Sequence, residues 1–262
     1  MRHVHQGLPG QSHQPVFLAM YKERFYRSQF GRDLVTHELK IGQTDLAVCL
    51  PAGIWQGEAA WGAEALCRRL RGDLELFCAA EPVFLTTHNP YRPGASAPGI
   101  AVKMAIAATA ANVGPMAAVA GAFAQEIGEF LLAFSPDVIV ENGGDIFIAT
   151  TQPRIVGVFA GASPFSGKIG LKIAARRRLG VCTSSGTVGP SFSYGLADAA
   201  VIIAGDAFLA DAAATAAGNL VRDEKDLQKA ADHAMGIEGV LGALLIKGDK
   251  LAARGEIELT PL

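Results

Sequence analysis

Val138-Ile139-Val140-Glu141-Asn142-Gly143-Gly144-Asp145-Ile146-Phe147-Ile148 places two apolar, β-branched runs on either side of Asn-Gly-Gly. Residues that tolerate positive φ between two short strand-forming runs predict an antiparallel hairpin. The turn also has a functional reading. Two glycines let backbone N–H groups approach a ligand, while Glu141 and Asp145 supply carboxylates at its edge. On these residues alone the plain hairpin is the simpler of the two.

Working outward, short apolar runs recur at 155–159, 169–173, 179–182 and 200–204, separated by Gly, Ser and Pro, and they read as further strands. Terminal strands are expected near 240–247 and 251–259. Upstream, 34–41 and 44–50 flank Gly42-Gln43 and predict a second hairpin. Between 57 and 80, Trp61, Ala65, Leu70, Leu74 and Phe77 recur at helical spacing, with arginines on the remaining surface. Six prolines and glycines interrupt 81–99, which reads as a long loop holding Thr86, Thr87, His88 and Tyr91. Two Ala-rich helices follow near 100–112 and 115–134, the second with Pro115 in its first turn, where a missing N–H costs nothing. Helices at 207–220 and 224–235 complete the order. The expectation is an α+β fold of antiparallel strands with Ala-rich packing helices. Residues 1–14, polar and carrying His3, His5 and His13, read as a disordered tail, leaving 15–262 as a single domain.

Half of the 262 residues are hydrophobic, 18% are charged, and the net charge is -2. That balance argues against disorder and against a nucleic-acid partner, which needs a basic, phosphate-neutralising surface. The apolar tracts 101–125 and 199–221 are interrupted by Lys103, Asn112, Pro115, Asp206 and Asp211, so no membrane span is expected. Residues 1–15 are polar and hold no apolar run, so export is not expected. Cys49, Cys67, Cys78 and Cys182 form no CxxC pair, which disfavours a zinc site or a disulfide framework, and a cytoplasmic setting is expected. Few charges on so apolar a chain hint at a homodimer.

Three further stretches have the composition of binding sites. Cys182-Thr183-Ser184-Ser185-Gly186-Thr187 follows a strand and offers hydroxyl and backbone donors suited to a phosphate or ribose. An ordinary Ser/Gly loop explains it equally well. In the second, Asp206 is a helix N-cap, and Asp211 and Thr215 then fall at i and i+4 on one face among alanines. A carboxylate and a hydroxyl are hard oxygen ligands of the kind Mg²⁺ takes, completed by water and substrate phosphates. In the third, small residues from Asn112 to Gln125 open a helix whose amino end would suit a diphosphate, or would simply allow tight packing. His37, His88 and His233 have no context that names a catalytic partner.

The order and spacing of Asn142-Gly143-Gly144-Asp145-Ile146, Thr183-Ser184-Ser185-Gly186 and Leu209-Ala210-Asp211-Ala212-Ala213-Ala214-Thr215 resemble the ApbE-like family, the FAD:protein FMN transferases formerly called thiamine-biosynthesis lipoproteins. Residues 113–121, 141–147 and 182–189 look more closely still like an uncharacterised cytoplasmic branch of that superfamily. The resemblance implies a Mg²⁺-dependent flavin-nucleotide site. Asp211 and Thr215 match the metal ligands. Glu141, Asn142, Gly143, Gly144, Thr183, Ser184, Ser185, Gly186 and Thr187 line the FAD, and Asp145 serves in catalysis by orienting the cofactor or the nucleophile. In the transferases FMN passes from FAD to a protein threonine and AMP leaves. The chain departs from the family in having Ala120-Gly121 where a Lys-Gly pair is common, and in lacking the His-Ile-Ile-Asp-Pro-type segment after the Thr-Ser-Ser-Gly loop. The alternatives are a flavin- or nucleotide-binding protein without catalysis and an enzyme acting on an unrelated small molecule.

Overall fold

A computed structural model describes residues 33–186 and 194–262. The expected tail, 1–14, and Thr187 lie outside these described residues.

The predicted hairpins form. Strand β1 (Leu34–Ile41) pairs antiparallel with β2 (Thr44–Pro51) around Gly42 at φ 59°. Strand β3 (Val138–Asn142) pairs with β4 (Asp145–Thr150), with Asn142 opposite Asp145. Gly143 and Gly144 form the two-residue turn at φ 70° and 112°, values that a side chain would disfavour at both positions. The other strands are β5 (Arg154–Gly157), β6 (Ile169–Ile173), β7 (Arg176–Ser184), β8 (Ala199–Ala204), β9 (Val240–Lys247), β10 (Lys250–Gly255) and β11 (Leu259–Pro261). They build an eight-stranded antiparallel sheet, β1-β2-β3-β4-β7-β8-β9-β10, and a three-stranded one, β11-β6-β5.

Alternation along each strand of the large sheet sends its side chains to two separate cores. Val138, Val140, Phe147, Cys182, Ile202 and Leu245 face the helices, whereas Ile139, Ile148, Val181, Ile203 and Leu244 face Val156, Leu171 and Ile173 near the small sheet. The fold is α+β, as the pattern of runs predicts.

The helices are α1 (Gly57–Ala80), α2 (Pro82–Thr86), α3 (Gly99–Ala110), α4 (Val119–Leu131), α5 (Ala207–Leu220) and α6 (Leu227–Met235), with short 3₁₀ turns at Pro115–Ala118 and Glu224–Asp226. The stretch 81–99 is therefore not loop throughout. Pro82 starts a helical turn that buries Phe84 edge-on against Phe77 and Tyr91, at centroid distances of 5.0 and 5.9 Å. The expected helix at 115–134 opens as a 3₁₀ turn before α4. The expected terminal strand at 251–259 is cut at Gly255, φ 67°, and resumes as β11 in the other sheet. No single helix among the described residues is long and apolar enough to cross a membrane. Helix α3 and the segment Pro115–Leu131 pass that test only as a pair bent by 102°.

Candidate functional site

The site is built where α5 lies along β7. A side chain at Gly180 would overlap the backbone of Asp206 and Ala207, so glycine lets the start of α5 sit directly on the strand. Asp206 caps α5 by accepting a hydrogen bond from the Leu209 N–H at 2.8 Å, as its position predicts. Along one face of the helix, at i, i+4 and i+7, follow Asp211, Thr215 and Gly218. Gly218 lies beside Ser184, where a methyl group would be in ordinary van der Waals contact with Ser184 Oγ at 3.7 Å. The face thus runs from the amino end of α4, beside Asp211, to the end of β7, and it unites the Asp-Thr pair with the Thr183–Gly186 segment.

Asp211 is buried, and its Oδ2 accepts a hydrogen bond from the Gly121 N–H at 2.8 Å; the Ala120 N–H also donates to this carboxyl. The first turn of α4, which the sequence offers as a diphosphate seat, is thus capped by a carboxylate from α5. The capping is reciprocal: Gln125 Oε1, on α4, accepts from the Ala207 N–H of α5 at 2.8 Å. Gly121 permits the approach, since a Cβ there would stand 2.1 Å from the Ala207 carbonyl oxygen.

The β3–β4 turn docks onto this junction. Asn142 Nδ2 donates to the Ala120 carbonyl at 3.1 Å, and Glu141 Oε1 accepts from the Gly144 N–H at 2.9 Å, closing the turn on itself. Asp145 is buried on the helix-facing side, where Oδ1 accepts from the Thr183 N–H at 3.3 Å. The Cys182 thiol hydrogen-bonds to the Asp145 carboxyl and lies 3.5 Å from the Ala207 carbonyl oxygen.

Two carboxyls and a thiol are therefore buried together. Burial pushes Asp145 well above the ordinary carboxylate range, and the neighbouring charge of Asp211 adds to it, with Glu141 contributing less. Burial raises Asp211 to about 7 against the opposing pull of the Gly121 and Ala120 N–H groups. Cys182 is raised by burial first and by both aspartates next, so it stays a thiol. No basic side chain among the described residues pairs with either aspartate.

Thr183, Ser184 and Ser185 are partly exposed and Gly186 is exposed, at the β7 end of the same face. Gly186 packs on Gly195, and Gly195 on Gly218, at separations that no side chain would allow. Beyond them His88 meets Tyr194 edge-on at 5.1 Å, and Tyr194 N–H donates to Asn219 Oδ1 at 2.9 Å. The structure thus brings Glu141, Asn142, Gly143, Gly144, Asp145, Asp211, Thr215 and Thr183–Gly186 into one region.

Gln125 and Cys182 stand at the ends of two stretches that the sequence singles out, but it gives neither side chain a role of its own. The one signal for Gln125 is a polar residue amid the alanines of α4. Two open depressions, of about 590 and 330 Å³, lie elsewhere, between α1, α3 and α4. No group of three or more His, Cys, Asp or Glu residues that could hold a metal occurs among the described residues.

A family model described as AbpE bacteria matches residues 27–251. A UPF0280 protein of Methanocella arvoryzae is 47% identical over 191 residues, which cover 72% of this chain and 78% of that protein. A UPF0280 protein of Methanothrix thermoacetophila is 44% identical over 190 residues, covering 71% and 79%. Among solved structures, the apo form of the Pseudomonas stutzeri flavinyl transferase ApbE aligns over 87% of this chain and 95% of its own, with a TM-score of 0.47 and 13% identity.

Proposed function

The chain belongs to the AbpE bacteria family, and from that premise we propose that it is a Mg²⁺-dependent flavin-nucleotide enzyme. It transfers FMN from FAD to a hydroxyl of a protein acceptor or, with water in the acceptor's place, cleaves FAD at the diphosphate. The observation that carries this reading is the buried pair Asp145 and Asp211 beside Thr215, without a basic partner among the described residues.

Two buried carboxylates are costly unless a cation or a proton joins them. The donor chemistry fits a small hard dication: carboxylate and hydroxyl oxygens are what Mg²⁺ takes, and it commonly keeps few protein ligands beside water and phosphate. Asp211 and Thr215 would hold it, with Asp145 adjacent. Bound there, it would offset diphosphate charge as the phosphorus–oxygen bond to the AMP side breaks.

The chain's own groups do the remaining work. Gly143 and Gly144 keep side chains away from the nucleotide, and the Thr183, Ser184 and Ser185 hydroxyls, with the Gly186 and Thr187 backbone, hold its phosphates and ribose. Asp145 orients the nucleotide or the attacking hydroxyl. In the balanced step, the acceptor oxygen bonds to the FMN phosphorus, AMP departs with the bridging oxygen, and the hydroxyl proton is released. A cytoplasmic homodimer without nucleic-acid or membrane partners completes the proposal.

A binding protein without catalysis is the second reading. Ala120 favours it, because it supplies no cation where the family commonly has a lysine. Incubation of the purified chain with FAD, with and without Mg²⁺, separates the two. Mg²⁺-dependent release of AMP, read by mass spectrometry and absent from Asp211→Asn, is expected of the enzyme. Flavin binding without release, with a candidate acceptor protein supplied, would select the binding protein.

A further inference from the structure

Helix α1 buries Ala59, Ala63, Cys67, Leu70 and Leu74, and its outward arc divides into two sides of different character. On one side the charges are paired within the helix: Glu64 with Arg68, and Arg71 with Glu75. The other side carries Trp61, Ala65, Gly72 and Leu76, with Arg69 and Asp73 among them. Trp61 is 75% exposed and Leu76 74%. Arg69 and Asp73 take part in no ion pair or hydrogen bond with any described residue.

Gly72 sharpens the contrast. A mid-helix glycine costs about 0.5–1 kcal/mol relative to alanine. Nothing within the described chain requires it, because its φ is not positive and an added Cβ would meet no atom within 4 Å. A glycine without an internal use, at the centre of an exposed apolar stripe, suits the close approach of a second backbone.

We propose that this side of α1 is the contact between two copies of the chain, crossing antiparallel about a two-fold axis near the level of residue 71. The charges select a second copy over an unrelated partner. A two-fold interface must be complementary to itself, and Arg69 and Asp73 flank residue 71 equally, so Arg69 of each copy meets Asp73 of the other. The same axis brings Trp61 to the level of Glu81 and the start of α2, where Val83 is 56% exposed. Gly72 lies beside the axis, where the helices are closest. The helix is about 36 Å long at 1.5 Å per residue.

The proposal rests on the homodimer of the proposed function and locates its contact; the flavin chemistry is separate, and either result with FAD leaves the contact untouched. Sedimentation equilibrium of the full chain is expected to show a dimer. Arg69→Asp, at an exposed position, should weaken it about tenfold or more by setting like charges together. Adding Asp73→Arg to that variant should restore affinity to within about threefold of the original. Gly72→Cys should cross-link to its own counterpart under mild oxidation, since all four native cysteines are buried. Circular dichroism confirms that each variant is folded. A monomeric chain, a dimer that the charge exchange fails to restore, or a Gly72→Cys variant that does not cross-link would each overturn the proposal; a monomer would leave the face to a different protein.

Discussion

Asp211 on α5 caps α4 through the Gly121 N–H at 2.8 Å, although 90 residues separate the two in the chain. The contact gives Asp211 a structural duty alongside the metal-binding duty proposed for it, and substitutions can separate the two. Asparagine keeps an acceptor for the Gly121 N–H and removes a buried charge. Asp211→Asn should therefore melt at or above the wild-type temperature yet lose Mg²⁺-dependent AMP release. Asp211→Ala leaves the N–H groups without an acceptor and should lose about 1–2 kcal/mol. Denaturant melts beside the FAD assay check both. Equal destabilisation by Asn and Ala would mean that the negative charge itself is needed at the helix end.

The buried carboxyls impose a pH dependence of definite sign. A carboxyl whose pKa rises on folding binds its proton more tightly in the folded chain, so its stabilising contribution is fully present below about 3.8. That contribution is lost as the pH climbs through about 7, the value Asp211 reaches when buried. Asp145 shifts in the same direction. Without Mg²⁺ the chain should become less stable between about pH 4 and 7, and Asp145→Asn and Asp211→Asn should each flatten that fall. Melting temperatures measured across this range, with the two single variants in parallel, provide the check. A wild-type profile that rises over the window would contradict the burial of these groups as acids.

Much of this arrangement can be read from short-range pattern. Asn-Gly-Gly between two apolar runs predicts the β3–β4 hairpin, because residues that tolerate positive φ are what close so short a turn. Asp206 predicts the start of α5 by the same local logic. The antiparallel strands and Ala-rich helices follow from runs of a few residues each, which is why the α+β class was legible. The reciprocal capping of α4 and α5 was not, since Asp211 and Gln125 reach across long separations to groups that carry no side-chain signature. Helix α2 was missed because Pro82 resembles a loop signal until Phe84 is seen buried between two aromatic rings. The resemblance to the ApbE-like family implies that Asp145 and Asp211 share a site, but only the fold shows the Cys182 thiol beside them.

The cysteines should be unreactive in the folded chain. Cys182 is pushed up by burial and by the two aspartates, Cys67 to about 11 by burial, and Cys78 upward for the same reason. The thiolate is the reactive form, so iodoacetamide at neutral pH should label none of these three until denaturant is added. Peptide mass spectrometry before and after unfolding measures this directly. Rapid labelling of Cys182 in the native chain would show that solvent reaches the aspartate pair.

Gly121 offers the sharpest test of how tightly the site is assembled. Its missing side chain is what lets α4 rest on the first turn of α5, and a methyl group would press within 2.1 Å of the Ala207 carbonyl oxygen. That neighbour is backbone, which cannot rotate away as a side-chain end would, so the two helices must separate. Separation lengthens the bonds from Gly121 to Asp211 and from Ala207 to Gln125 together, because both cross the same junction. Gly121→Ala, although alanine is the better helix former by about 0.8–1.0 kcal/mol, should therefore destabilise the chain by about 1–3 kcal/mol. Mg²⁺-dependent turnover of FAD should fall with it, and denaturant melts and AMP release measure the two effects. Stability equal to wild type would show that helix propensity outweighs the close contact, and that the junction has room to adjust.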